Sequence, residues 1–232
     1  MRKYEWLAPL TGVAFIAVLI IGFLVVGEPP DVKDPPQKII DHYVDNKDSV
    51  QIGVLLQMVA AALLLFFAGY LRKFLRAAPG EGGMLPAVAL AGATVMATGA
   101  AIDGTISFVL AESVDDIQPA AVQALQAIWD NDWPPIALGA SVLLLASGLS
   151  IALYGSLPRW LGWVAVVLGV VGLTPIGFAA FLGGAVWILI VSVLLTLRAR
   201  AAAVPPPPPP HPVQRRPVSE SGGAADRRPG IR

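Results

Sequence analysis

The chain has no cysteine in its 232 residues and only two histidines, His42 and His211. Without cysteine it can form no disulfide, no thiolate nucleophile and no thiolate metal site. Charge is also scarce, because 14% of the residues are charged, whereas a soluble domain carries about 25%. The sixteen basic and sixteen acidic residues cancel, so no net field attracts nucleic acid, and we expect no nucleic-acid partner.

Motifs of catalysis are missing as well. No serine or threonine is placed with a histidine base, and no pair of carboxylates lies at membrane depth. The glycine-rich segment 79–83 has neither a P-loop lysine nor a preceding strand, so we interpret it as a flexible turn. The sequence therefore predicts a non-enzymatic protein with no catalytic residues and no cofactor.

What the chain does contain is long apolar runs, since 56% of its residues are hydrophobic. A membrane-spanning helix needs about 20 predominantly apolar residues. The pattern predicts an all-α, polytopic membrane helical bundle with six transmembrane helices. The expected spans are 7–26, 50–71, 85–111, 135–154, 161–175 and 178–197.

The last two spans come from one uncharged stretch, 161–197, which is longer than a single spanning helix requires. Thr174-Pro175-Ile176-Gly177 interrupts the stretch, and proline followed by glycine is typical of a turn. A hairpin of two helices is therefore predicted, with one long kinked helix as the alternative. Charge bias favours the hairpin, because it puts Arg198 and Arg200 on the same side as the other clustered basic residues.

That charge bias also predicts the orientation. The basic residues of the segments expected inside are Arg2, Lys3, Arg72, Lys73, Arg76, Arg159, Arg198 and Arg200. The loop between the third and fourth spans has no basic residue, and the first loop mixes its lysines with a larger number of acidic residues. An excess of Lys and Arg in short loops marks the cytoplasmic side. We expect both termini there.

Each of the two outer loops is predicted to contain a short extracytoplasmic helix that rests on the membrane or caps the bundle. Their apolar stripes are Ile39, Ile40, Tyr43 and Val44 in the first loop, and Val122, Leu125, Ile128 and Trp129 in the second, which begins at Pro119. Helix starts follow both loops: Asp48 and Gln51 have capping-box spacing, and Asp132 is a natural N-cap.

Residues 201–232 differ in character, with six consecutive prolines from Pro205 to Pro210. Such a composition cannot bury a core, so we expect a disordered cytoplasmic tail. The proline run is typical of a polyproline II segment, which serves as a stiff spacer or, alternatively, docks on a partner.

Asp103 is the ionisable residue that lies well inside a predicted span. A small, partly polar face of the third span carries Gly92, Met96, Gly99, Asp103 and Ser107, and a second small-residue row beside it carries Ala89, Ala93, Ala97 and Ala101. Small faces let neighbouring helices pack closely, so we expect the third span to be central.

An intramembrane carboxylate indicates function by default, and the candidate polar site is Asp103, Ser107 and Gln57. The functional hypothesis is that Asp103 binds a proton, a cation or a substrate amine. The structural alternative is that it hydrogen-bonds Thr105, Ser107 or a backbone group of a neighbouring helix, or lies shallow enough to be wetted. Gln51 and Gln57 could face it, although as amides they serve equally well as inter-helix hydrogen-bonding residues.

A second candidate is an extracytoplasmic cation site at Asp41, His42 and Asp45. Carboxylates ligate divalent ions, but acidic residues on a solvated helix more often form only a solvated face, and one histidine does not make a transition-metal site. We therefore predict no metal.

The segment Leu157-Pro158-Arg159-Trp160-Leu161-Gly162-Trp163, with Gly169 and Gly172 after it and Trp187 in the last helix, resembles small multi-pass membrane proteins of unknown function that are frequent in actinobacteria. The likeness covers residues 3 to 200 and excludes the tail. It implies a six-helix domain in a bacterial plasma membrane, with no known activity, substrate or catalytic residue to transfer.

Two functional hypotheses follow. The first is a non-enzymatic structural or interaction component, whose partners are the lipid bilayer and other membrane proteins or further copies of the chain. The second is a small transporter or ion-binding membrane protein that uses Asp103 within the bundle, and this one requires a cavity that reaches the carboxylate.

Overall fold

The computed structural model describes residues 7–80, 83–175 and 177–203, and this part of the chain contains helices and no β strand. The helices are α1 (Leu10–Val26), α2 (Pro36–Asp45), α3 (Lys47–Arg76), α4 (Met84–Ser113), α5 (Pro119–Trp129), α6 (Trp133–Tyr154), α7 (Arg159–Val171) and α8 (Gly177–Ala203). The predicted all-α class is confirmed for these residues.

Within the described residues, four helical segments are long and apolar enough to cross a membrane: Lys47–Arg76, Met84–Ser113, Pro119–Tyr154 and Ala179–Ala201. The third of them joins α5 to α6. The shorter apolar helices α1 and α7 have 17 and 13 residues. Each predicted span overlaps one helix, although α7 ends four residues before the predicted 175, and a count of six crossings stays a prediction.

The two ends of the chain extend beyond the described residues. Arg2, Lys3, His211 and the proline run Pro205 to Pro210 all lie outside them. The predicted start of the tail at 201 is wrong, because α8 continues to Ala203. Alanine is the strongest helix former, which explains why Ala201–Ala203 extend the helix.

α4 packs between α3 and α6, as the small-residue face of the third span predicts. A Cβ added to Gly92 would overlap the backbone of Leu143, and one added to Gly139 would overlap the backbone of Met96. Backbone therefore meets backbone at this crossing, which glycine alone permits. The second row is buried at Ala89, Ala93 and Ala97, whereas Ala101 is exposed.

α7 and α8 pack against each other as a hairpin. The buried indole Nε1 of Trp187 donates a hydrogen bond to the carbonyl oxygen of Leu161, at 2.9 Å. After α7, Leu173 and Thr174 bond back to Val170 and Val171 in a tight turn. The structure has two helices here, so the single long kinked helix is excluded.

The short helices α2 and α5 pack together over one end of the bundle, which we call the capped end. Ile39, Tyr43 and Val122 are buried there with Leu110 of α4. The predicted stripes are only partly correct, because Val44 and Ile128 are 44% and 53% exposed. Both side chains lie at the edge of their stripe, where a narrow two-helix contact leaves them uncovered.

The capping predictions are wrong in detail. Asp48 lies inside α3, which begins at Lys47, and the Gln51 amide Nε2 donates to Glu112 Oε2 at 2.7 Å instead of capping. Asp132 does occupy the N-cap position of α6, but its side chain makes no capping hydrogen bond. The Gln51 amide instead donates across the α3–α4 contact to a carboxylate, and hydrogen bonds to an ionised acceptor are stronger than neutral ones.

Candidate functional site

Asp103 and Gln57 meet at the contact between α4 and α3. The Gln57 amide Nε2 donates to Asp103 Oδ2 at 2.6 Å and to the Ala100 carbonyl oxygen at 3.0 Å. Gly104, next to Asp103, faces the same contact, because a Cβ added there would lie 3.5 Å from Gln57 Oε1, an ordinary van der Waals distance. The structure thus brings together two of the three residues of the predicted polar site.

Two of the other proposed neighbours of Asp103 bond elsewhere. Gln51 donates to Glu112 near the end of α4, and the Thr105 hydroxyl donates to Ala101 of its own helix at 2.7 Å. Ser107, one turn after Asp103, lines the same cavity as Asp103 and Gln57. Among the described residues Asp103 therefore bonds Gln57, and its side chain is only partly buried.

That cavity, which we call the smaller cavity, has a volume of about 250 Å³ and lies between α1, α3 and α4. Its polar lining comes from Gln57, Asp103, Ser107 and Trp129, and apolar side chains such as Val54 and Leu64 form most of the rest. The indole Nε1 of Trp129 is buried without a hydrogen-bond partner among the described residues. A few polar groups in an apolar cavity are typical of a small-molecule site.

The charge of Asp103 is not balanced within the described part of the chain. The ion pairs found there join Lys38 to Asp34 at 2.9 Å and Lys47 to Glu112 at 3.2 Å, and both lie in or next to the loops. A partly buried carboxylate without a cationic partner is costly in a low-dielectric environment. A bound cation or a proton would remove that cost.

A larger cavity of about 460 Å³ adjoins the smaller one. The two cavities share Phe15, Leu19, Met96, Ile136 and Phe181 in their linings. The larger cavity also contains Ser141, which is 1% exposed and whose hydroxyl has no hydrogen-bond partner among the described residues. The two cavities are therefore neighbours that share part of their lining, and Asp103 lies in the smaller one.

The predicted cation site at Asp41, His42 and Asp45 does not form. No group of three or more metal-ligating side chains converges anywhere in the described residues. Asp41 accepts a hydrogen bond from Gln37 at 2.8 Å, while His42 Nε2 is buried without a partner in the same part of the chain. Burial lowers the pKa of His42, and the Asp45 charge partly opposes this.

Gln126 is the important residue that sequence reasoning missed. It is fully buried between α2 and α5, where its Oε1 accepts from the Tyr43 hydroxyl at 2.9 Å. Its Nε2 donates to the Pro30 carbonyl oxygen at 2.9 Å and to Asp130 Oδ1 at 3.1 Å. Burial raises the pKa of Tyr43, so the phenol keeps the proton it donates. The available signal was position, because Gln126 follows Val122 by four residues on the apolar face.

The comparisons with known proteins found no matching family model, no matching curated protein and no matching solved structure. The function is therefore argued from the geometry of this chain alone.

Proposed function

We propose that the chain is a non-enzymatic, six-helix protein of a bacterial cytoplasmic membrane that binds a small cationic ligand at Asp103, as an ion-binding protein or small transporter does. The observation that carries the proposal is the smaller cavity, which reaches a carboxylate with no ion-pair partner among the described residues. Intramembrane carboxylates in cavities are typical of cation and proton pathways.

The arrangement of charges supports six spans with both termini in the cytoplasm. Arg72, Lys73 and Arg76 lie at the end of α3 that is opposite the capped end. Arg198 reaches the same end from α8: its Nη1 donates to the Ser156 carbonyl oxygen at 2.6 Å, and its guanidinium lies 6.0 Å from the Phe74 ring centre. Basic residues gathered at one end favour that end as cytoplasmic.

α7 is short for a span, since 13 residues rise only about 20 Å against a hydrocarbon core of about 30 Å. The residues of the turn that follows α7 span the remaining distance across the hydrocarbon core. The backbone groups of this turn bond back to α7, and the Thr174 hydroxyl donates to the Val171 carbonyl oxygen at 2.6 Å. Non-helical backbone is tolerated at membrane depth where its polar groups are satisfied within the protein.

The cavity is tested with a single introduced thiol, because the natural chain contains no cysteine. Ser107→Cys places the thiol in the smaller cavity, and Asp116→Cys, at an exposed position, serves as the control. Each variant is treated with the cationic reagent 2-aminoethyl methanethiosulfonate and with its anionic 2-sulfonatoethyl analogue. For each reagent, the modification rate of Ser107→Cys is divided by that of Asp116→Cys, which removes the difference in intrinsic reactivity between the two reagents.

We expect the cationic reagent to modify Ser107→Cys at least about tenfold faster than the anionic one, because the Asp103 charge attracts it. Adding Asp103→Asn should abolish the preference while the protein still unfolds cooperatively. Equal rates with both reagents, or no reaction in the cavity while the control reacts, would show that Asp103 does not recruit cations and would refute the proposal.

The interaction hypothesis is a second candidate, and the exposed apolar side chains of the capped end favour it. Val44 of α2 and Ile128 of α5 are exposed in the layer expected to face the outer aqueous phase, where apolar surface marks a contact site. Replacing both by serine should remove a co-purifying partner or a homo-oligomer seen by native mass spectrometry. A monomer before and after the change would count against this role.

A further inference from the structure

The two cavities differ in charge, because the smaller one contains the Asp103 carboxylate whereas no described residue in the lining of the larger one carries a charged side chain. The smaller one offers Asp103, Gln57 and Ser107. The larger one is lined almost entirely by apolar side chains, with the aromatic rings of Phe15, Phe181 and Trp133 among them. A ligand that fills both must carry its charge at one end and its apolar mass at the other.

The volume is adequate for an organic ligand. Sites for drug-sized molecules measure about 300–1,000 Å³, and the larger cavity alone has about 460 Å³. A bare metal ion would leave this space unfilled, whereas an apolar group would gain about 25 cal/mol for each Å² of surface removed from water. The larger cavity therefore favours a ligand with a substantial apolar part.

α1 and α8 both contribute to the lining of the larger cavity. At one end the helices touch: a Cβ on Gly12 would lie 2.9 Å from the Ser192 side chain, and the Ser192 hydroxyl donates to the Pro9 carbonyl oxygen. Towards the capped end, Leu19 of α1 and Phe181 of α8 line the cavity. The apolar part of a ligand would therefore lie against these two helices.

We propose that the bundle binds a monovalent lipophilic cation, with its cationic group against Asp103 in the smaller cavity and its apolar body in the larger one. This inference rests on the proposed function, because it names the class of cation that Asp103 binds. The choice of charge comes from complementarity: the described residues provide no ion-pair partner for Asp103, and the surrounding aromatic rings attract cations as well.

The test uses two probes of similar size that carry opposite charges at one end of an apolar body, 4-phenylbutyltrimethylammonium and 4-phenylbutanesulfonate. The full chain in lipid nanodiscs is titrated with each probe by calorimetry, and empty nanodiscs are subtracted. The variants are Asp103→Asn, the exposed control Asp116→Asn, and Ala185→Phe, which fills part of the larger cavity. Thermal unfolding without ligand establishes that each variant is folded.

We expect saturable binding of the ammonium probe, none of the sulfonate probe, and a loss of at least about tenfold in affinity in Asp103→Asn and in Ala185→Phe but not in Asp116→Asn. The bound ammonium probe should also protect Ser107→Cys from the cationic thiol reagent. If the ammonium probe fails to bind, or both probes bind equally, while the thiol reagent still shows its dependence on Asp103, the ligand is a small polar cation and only this inference falls. If Asp103→Asn has no effect on either measurement, both proposals fall.

Discussion

Gln126 links the two helices of the capped end through three hydrogen bonds to Tyr43, Pro30 and Asp130. We predict that Gln126→Leu loosens this layer. Leucine fills a similar volume but leaves the Tyr43 hydroxyl and the Pro30 carbonyl oxygen without their partner. Each buried group left unsatisfied costs about 1–3 kcal/mol. Faster hydrogen–deuterium exchange in Pro36–Asp45 is the expected readout.

The matched control is Gln123→Leu, the same change on the same helix at a side chain that is only partly buried. It should leave the exchange of α2 within experimental error of the natural chain. Equal effects of the two substitutions would mean that the hydrogen bonds of Gln126 do not stabilise the layer.

His42 makes the same helix sensitive to pH. Burial lowers its pKa below the ordinary value of 6.5, so the unfolded segment takes up the proton first as the pH falls. The stability of α2 should therefore be complete above pH 6.5 and decline as the pH drops below it. Amide exchange in α2, corrected for intrinsic rates, should accelerate as the pH falls below 6.5. His42→Gln should remove that acceleration, and an unchanged pH dependence in this variant would assign it to another group.

Asp103 and Gln57 were predictable from the sequence, while Gln126 was not. The physical reason is the medium that would surround each residue if it were not buried, which is lipid for Asp103 and water for Gln126. A carboxylate in a run of apolar residues stands out because lipid penalises it. A glutamine in a short amphipathic loop helix does not stand out, because water would accept it at no cost. Its burial depends on α2 packing against α5, a long-range contact that no local pattern reveals.

At the scale of helices, the crossing of α4 and α6 depends on Gly92 and Gly139. We predict that Gly139→Ala destabilises the bundle, because the new Cβ would overlap the backbone of Met96. Overpacking of this kind costs about 1–3 kcal/mol. The melting temperature of the purified protein, followed by tryptophan fluorescence, should fall.

Gly69→Ala is the control on α3, since a Cβ there meets nothing within 4 Å. Alanine replaces glycine in an open helical position, so this variant should melt at the same temperature or higher. Similar melting of the two alanine variants would show that the helices have room to move apart.

The bounds of the helices were less predictable than their existence. Apolar runs located the helices, but α3 begins at Lys47 and α4 ends at Ser113, outside the predicted 50–71 and 85–111. A helix continues past the apolar segment wherever its polar end residues find partners. Gln51 and Lys47 both find one in Glu112, and no sequence pattern brings those three residues together.

For the whole molecule, the six-span arrangement predicts which positions face the cytoplasm, and the cysteine-free chain makes this testable with one thiol at a time. Ala77→Cys follows α3, Asp116→Cys follows α4, and Ala201→Cys lies in the last turn of α8; all three positions are exposed. In intact bacterial spheroplasts, a membrane-impermeant maleimide should label Asp116→Cys alone, and all three should react after permeabilisation.

The decisive position is Ala201→Cys. An odd number of spans would carry it to the outside, so its labelling in intact spheroplasts would contradict the α7–α8 hairpin as two crossings. Protection of Ala201→Cys together with Ala77→Cys is the result expected if Arg198 and the basic end of α3 share the cytoplasmic face.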